Sequence, residues 1–236
     1  MVFTLPPVSS ISDLPREEIV QILGHLFEPA PALVELVLPG LQQDSFPDYP
    51  TLIAHIHTKL LSLYSTAITE DQESPSTAHA MKSLLTILSA HPRLGAKKVE
   101  STHSQSEQSS LGGGPDETQA LVQLNREYED TFPGLRYVTF VNGRSRGEIM
   151  EDMRERIEGG RRGGGAVAVA VRDTVWRGEV EDAIEAMCEI AGDRTAPSIL
   201  FMTVNCTLQE LSPLETQLFF SSLFLFACAK HTSAIL

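Results

Sequence analysis

Between residues 89 and 114 the chain reads SAHPRLGAKKVESTHSQSEQSSLGGG and gathers His91, Pro92, His103, Ser104, Glu107 and Gln108 into a few turns. An imidazole ordinarily titrates near neutrality, so His91 could give or take a proton at cellular pH. Proline disfavours helical geometry in the residue ahead of it, which fixes the angle at which His91 leaves its helix. The same histidine could instead complement a helix dipole from the last turn. Ser104 and Glu107 have the Ser-x-x-Glu spacing of a capping box, so Glu107 could close its own helix or serve a substrate. His103 and Glu107, four residues apart, would share a helix face. Two ligands that no further histidine pair or cysteine completes do not define a zinc site.

Three other places invite the same question. Arg194 follows a helical stretch, where a cation suits the dipole, yet a guanidinium there could also grip a carboxylate with two bonds. Asn142-Gly143-Arg144 reads as turn and helix-entry chemistry. The glycines of GGRRGGG at 159–165 lack the strand-turn-helix context of a phosphate loop and read as a flexible break.

The elements that must position these groups are helical. Ser12-Asp13-Leu14-Pro15 predicts a helix start, with Ile19, Ile22, Leu23 and Leu26 as its apolar stripe. Pro29 and Pro31 break it, a short helix follows, and a loop is expected from Pro39-Gly40 to Pro50. Leu52, Ile53, Ile56, Leu60, Leu63 and Tyr64 trace another helix, and Met81, Leu84, Leu85 and Leu88 mark one over 78–90. Beyond the polar stretch, Pro115-Asp116-Glu117 opens a helix with Leu121, Leu124, Tyr128 and Phe132 inside. Residues 137–141 (YVTFV) form an extended run too isolated to imply a sheet. Ser145 and Glu148 make a capping box that starts the next helix. The segment 166–171 has no clear assignment, and 180–193 reads as the last helix, with Ile184, Met187, Cys188 and Ile190 inward. Past Pro197 the charge nearly vanishes. The prediction is an all-α, single-domain helical bundle over 1–197, with an atypical apolar C-terminal tail over 198–236.

Composition narrows the partners. The net charge of −13 disfavours nucleic acid and anionic membranes, which need clustered cations. Three cysteines, all in the last fifth, suit a reducing compartment. The N-terminus lacks a signal-peptide pattern, and LFFSSLFLFACA at 218–229 falls short of the roughly 20 residues a membrane-spanning helix needs.

His91-Pro92-Arg93-Leu94-Gly95, then Ser104-x-x-Glu107-Gln108, then YVTFVNGRS before a helix, together resemble the 2-oxo-4-hydroxy-4-carboxy-5-ureidoimidazoline (OHCU) decarboxylases. FEPAPALVELV and LVQLNREYEDTFPGLRY are similar to further segments of that family, and the likeness runs over roughly 10–195. The resemblance implies an all-helical, cofactor-free, commonly dimeric carboxy-lyase that turns OHCU into S-allantoin in urate degradation. It places the catalytic histidine on His91, the catalytic glutamate on Glu107 and the catalytic arginine on Arg194, at the end of Ile190-Ala191-Gly192-Asp193-Arg194. It places substrate contacts on Pro92, on Ser104, Gln105, Ser106 and Gln108, and on Tyr137, Val138, Thr139, Phe140 and Val141. No metal is implied, because the substrate's ring imine and carbonyl provide the electron sink.

Two departures carry expectations of their own. Thr195-Ala196-Pro197 halts the helix where the family continues it, so Arg194 is expected to be poorly anchored. The ending Ala234-Ile235-Leu236 is not the Ser-Lys-Leu peroxisomal address, which leaves cytoplasm or peroxisome as the expected location. Against the decarboxylase stand a non-catalytic helical binding or scaffold module and a metal-dependent hydrolase built on His91, His103 and Glu107.

Overall fold

The computed structural model describes residues 3–69, 71, 74–95, 115–162 and 168–195. The expectation for the tail at 198–236 lies outside the described residues, as do His103, Ser104, Gln105, Ser106, Glu107 and Gln108.

Every regular element among the described residues is a helix, as expected. A 3-10 helix, Val8–Asp13, precedes α1 (Arg16–Phe27), α2 (Pro31–Gln43), α3 (Tyr49–Ala67), α4 (Pro75–Leu88), α5 (Pro115–Thr131), α6 (Arg146–Arg162) and α7 (Thr174–Thr195). α3 packs on α4 and α7, α1 packs on α7, and α5 packs on α6. The predicted apolar stripes meet in one core, with Ile19, Leu26, Ile56, Leu60, Leu84, Leu88, Leu121, Phe132 and Ile184 all buried. No single described helix is long and apolar enough to cross a membrane.

Several boundaries differ from the sequence reading, each for a packing reason. Pro39-Gly40 lies inside α2 rather than in a loop. A proline inside a helix costs about 3 kcal/mol, but burying Leu33, Val37, Leu38 and Leu41 along α2 offsets it. Gly40 is where His55 of α3 closes on the helix: a Cβ there would stand 2.7 Å from His55 Nε2. Gly159 and Gly160 continue α6 instead of breaking it. Gly160 lies against α5, where an added Cβ would meet Phe132 Cζ at 2.7 Å. α4 starts at Pro75 and stops at Leu88, so the polar 74–76 is helix entry and Ala90 lies beyond the helix. Ser12 and Asp13 belong to the 3-10 helix, and Pro15, with no side-chain cap bond, is the N-cap of α1.

The last helix begins six residues before Val180. Asp173 Oδ1 accepts from the Val175 amide at 3.0 Å, and the fully buried Trp176 ring donates its Nε1–H to Pro133 O at 3.1 Å. Cys188 is only half-buried on this helix, while Ile184, Met187 and Ile190 face inward as predicted. The segment 168–171 is not helical; the buried Val169 donates its amide to Thr131 O at 2.8 Å and so ties the approach to α7 onto the end of α5.

Candidate active site

His91 lies in the turn after α4 and is 5% exposed. The Ser89 amide bonds to Leu85 O and the Ala90 amide to Ile87 O, which closes α4 and delivers His91 beyond its end. Two side chains staple the following residues to α5. Arg93 grips Glu129 with both ends of its fork, Nη2 to Oε2 at 2.7 Å, and Asn125 Nδ2 donates to Leu94 O at 2.9 Å. Pro92, half-buried, sits between His91 and this staple.

Residues 137–141 lie outside any helix, with Tyr137 and Val138 buried and Thr139, Phe140 and Val141 half-buried. Arg136 joins this segment to the histidine's turn: its Nη1 donates to Ser89 O and, at 3.1 Å, to His91 O. Burial, then the charge of Arg93, draws the Arg136 pKa down from its usual value. By binding the carbonyl of Ser89, the C-cap of α4, and that of His91 beyond it, this guanidinium also fixes the histidine's backbone. Sequence reasoning missed Arg136, since nothing in its neighbourhood announces partners 45 and 47 residues away.

A polar network supports the segment from below. The Tyr137 hydroxyl donates to Asp152, and Arg156 bonds to Asp152 Oδ1 at 3.3 Å, Glu179 Oε2 at 3.1 Å and Asp182 Oδ2 at 2.8 Å. Tyr128 donates to the same Glu179 oxygen at 2.6 Å. Burial first, then the neighbouring carboxylates, pushes both phenols well above their ordinary range, so they remain donors. The charged members come from α6 and α7, and Tyr128 from α5, so three helices share one satisfied network.

Arg194 is not poorly anchored. It sits in the last turn of α7, and its Nη1 donates to His25 O at 3.1 Å and Leu26 O at 3.2 Å. Nη2 donates to Glu28 Oε1 at 2.7 Å. The guanidinium thus satisfies carbonyls at the C-terminal end of α1, a source of anchoring that lies wholly before residue 195. Glu28 was likewise missed; it is one of two acids, with Glu35, in the otherwise apolar FEPAPALVELV. The structure therefore brings His91 to 137–141 through Arg136, and Arg194 to Glu28. Among the described residues, no group of three or more His, Cys, Asp or Glu side chains comes together that could hold a metal ion.

The structure thus holds the buried His91 in the turn after α4, ties that turn to the segment 137–141 through Arg136, and supports the segment with side chains from three helices. The chain belongs to the OHCU decarboxylase family, whose model matches residues 12–196. The chain is also 26% identical over 154 residues to the uric acid degradation bifunctional protein PucL of Bacillus subtilis (strain 168). That match covers 64% of this chain and 27% of PucL, so the chain spans about a quarter of that relative.

Proposed function

We propose that this protein decarboxylates OHCU to S-allantoin. The observation that carries the reading is the family match over residues 12–196, inside which His91 is buried and its turn held by Arg136. In this reaction the bond between the ring carbon and the carboxylate breaks. Its electron pair moves toward the adjacent ring imine, CO2 departs and an enol is left. A proton then arrives on one face of the neighbouring ureido-bearing carbon, while the hydroxyl gives up its proton and becomes the ring carbonyl of S-allantoin. His91 is the proton donor in this reading, because an imidazole is the side chain best suited to general acid–base work and this one is held in place beside the segment 137–141.

Arg194 would hold the ring carbonyl or the carboxylate, and Glu107 would orient the hydroxyl or ureido groups. Pro92 and Ser104, Gln105, Ser106 and Gln108 complete the proposed contacts. The backbone of 137–141 would pin the planar ring with fixed dipoles, which need no reorganisation as charge develops. No cofactor enters this scheme. A homodimer working in the cytoplasm or peroxisome, without nucleic-acid or membrane partners, belongs to the same reading. Light scattering tests the dimer. The activity is tested by generating OHCU in situ from urate and following CO2 release. Release faster than the spontaneous rate supports the reading, and release at the spontaneous rate refutes it.

A further inference from the structure

Residues 137–141 belong to no helix and, among the described residues, have no neighbouring strand, so their backbone groups must find partners elsewhere. Arg144 supplies them on one side. Asn142 (φ 42°) and Gly143 (φ 75°) both take left-handed conformations, and the Arg144 amide bonds back to Val141 O at 2.8 Å. This is the geometry of a type I′ turn, which Asn-Gly favours and which reverses the chain tightly. The reversal carries the Arg144 side chain back along the segment it has just left. Its Nη2 donates to Thr139 Oγ1 and Phe140 O, its Nε reaches Val141 O at 3.4 Å, and Nη1 lies 3.9 Å from Asp152. Asp152 in turn accepts from Tyr137, so both ends of the segment converge on one carboxylate.

One guanidinium thus occupies acceptors at Thr139, Phe140 and Val141. Among the described residues, none accepts from the amides of Val138, Thr139, Phe140 or Val141. We propose that Arg144 is a positioning residue: by binding the acceptors of residues 139–141 it presents the amides of that segment, in one conformation, to the acceptor atoms of a planar ureide ring. The proposal rests on the decarboxylase reading above and adds to it the group that preorganises the ring-binding backbone. It also gives Arg144 a part that turn chemistry alone does not.

The test measures kcat and KM of OHCU decarboxylation at 20 °C, with melting curves, for wild type, Arg144→Ala and Arg144→Lys. Binding of S-allantoin, the product, is titrated alongside. Misplacing a pinned group by about an ångström costs on the order of 100-fold, so Arg144→Ala should lose about 10–100-fold in kcat/KM, with weaker S-allantoin binding. Arg144→Lys should fall between, since an ammonium keeps the charge but not the fork. Millimolar guanidinium should recover part of the Arg144→Ala loss. If Arg144→Ala keeps kcat/KM and S-allantoin affinity within about twofold of wild type, the proposal is wrong. It is equally wrong if the loss only tracks a melting point falling below the assay temperature, with no rescue and with Arg144→Lys normal. A wild-type protein that does not accelerate the reaction would remove the decarboxylase reading itself, and the proposal with it.

Discussion

Glu28 and Arg194 form a buried ion pair, Nη2 to Oε1 at 2.7 Å, with side chains 4% and 2% exposed. They lie 166 residues apart, one just after α1 and the other in the last turn of α7, and so fasten the two ends of the helical unit. Glu28 accepts a backbone conformation to do this: its φ of 68° and ψ of 156° belong to a region almost reserved for glycine, at a cost of about 1–3 kcal/mol. Breaking a buried ion pair by removing one partner typically costs about 3–5 kcal/mol. Glu28→Ala should therefore lose about that much in urea unfolding. Glu28→Gly should lose about 1 kcal/mol less than Glu28→Ala, because glycine relieves the backbone. Equal losses in the two variants would show that the φ carries no strain.

The two neighbouring glycines of α6 should respond in opposite directions. Gly159 has nothing within 4 Å of an added Cβ, so Gly159→Ala should gain about 0.5–1 kcal/mol from helix propensity. Gly160→Ala drives a methyl into Phe132 and Thr131 and should lose about 1–3 kcal/mol. Thermal unfolding of both variants checks the pair. Matching shifts would mean that α6 does not press on α5 as described.

These positions also show what could be read from the amino acids alone. The stripes of α1, α3, α4 and α5 were legible because burial at every third or fourth residue is a local pattern. The helical continuations through Pro39-Gly40 and Gly159-Gly160 were not, since glycine and proline ordinarily punctuate helices. Burial along α2 and the close approach of His55 and Phe132 to Gly40 and Gly160, contacts between distant segments, account for them. At the site, His91 could be singled out by type and by the proline after it. Arg136, Arg144 and Glu28 could not, because their partners are backbone carbonyls or groups far along the chain. The Asn-Gly before Arg144 announced the turn but not where the guanidinium would land.

All four tyrosines should resist ionisation in the native state. Tyr49 is pushed up to about 12 by burial, and burial, followed by nearby carboxylates, raises Tyr64, Tyr128 and Tyr137 further. The unfolded chain would ionise near pH 10. A phenol whose folded pKa is raised contributes stability that is whole below pH 10 and is lost as the pH climbs above it. Phenolate absorbance near 295 nm should therefore stay low at pH 11 and rise together with loss of helical circular dichroism. A smooth rise near pH 10 in a protein that is still folded would contradict the buried network.

Cys188 should be a poor nucleophile. Burial first, then Glu185 and Glu189, pushes its thiol up to about 12, so little thiolate exists at pH 8. Site-resolved mass spectrometry after iodoacetamide treatment should find Cys188 modified at least tenfold more slowly in native than in urea-unfolded protein. Comparable rates in the two states would place Cys188 in a more open setting than its half-buried one.

The central claim is that His91 delivers a proton to one face of the decarboxylated ring. The direct measurement generates OHCU from urate in situ and follows S-allantoin by circular dichroism with wild type, His91→Asn or no protein. Wild type should yield S-allantoin well above the spontaneous rate, whereas His91→Asn, folded by its far-ultraviolet spectrum, should return to that rate with racemic product. A folded His91→Asn variant that still produces S-allantoin at the wild-type rate would contradict the account.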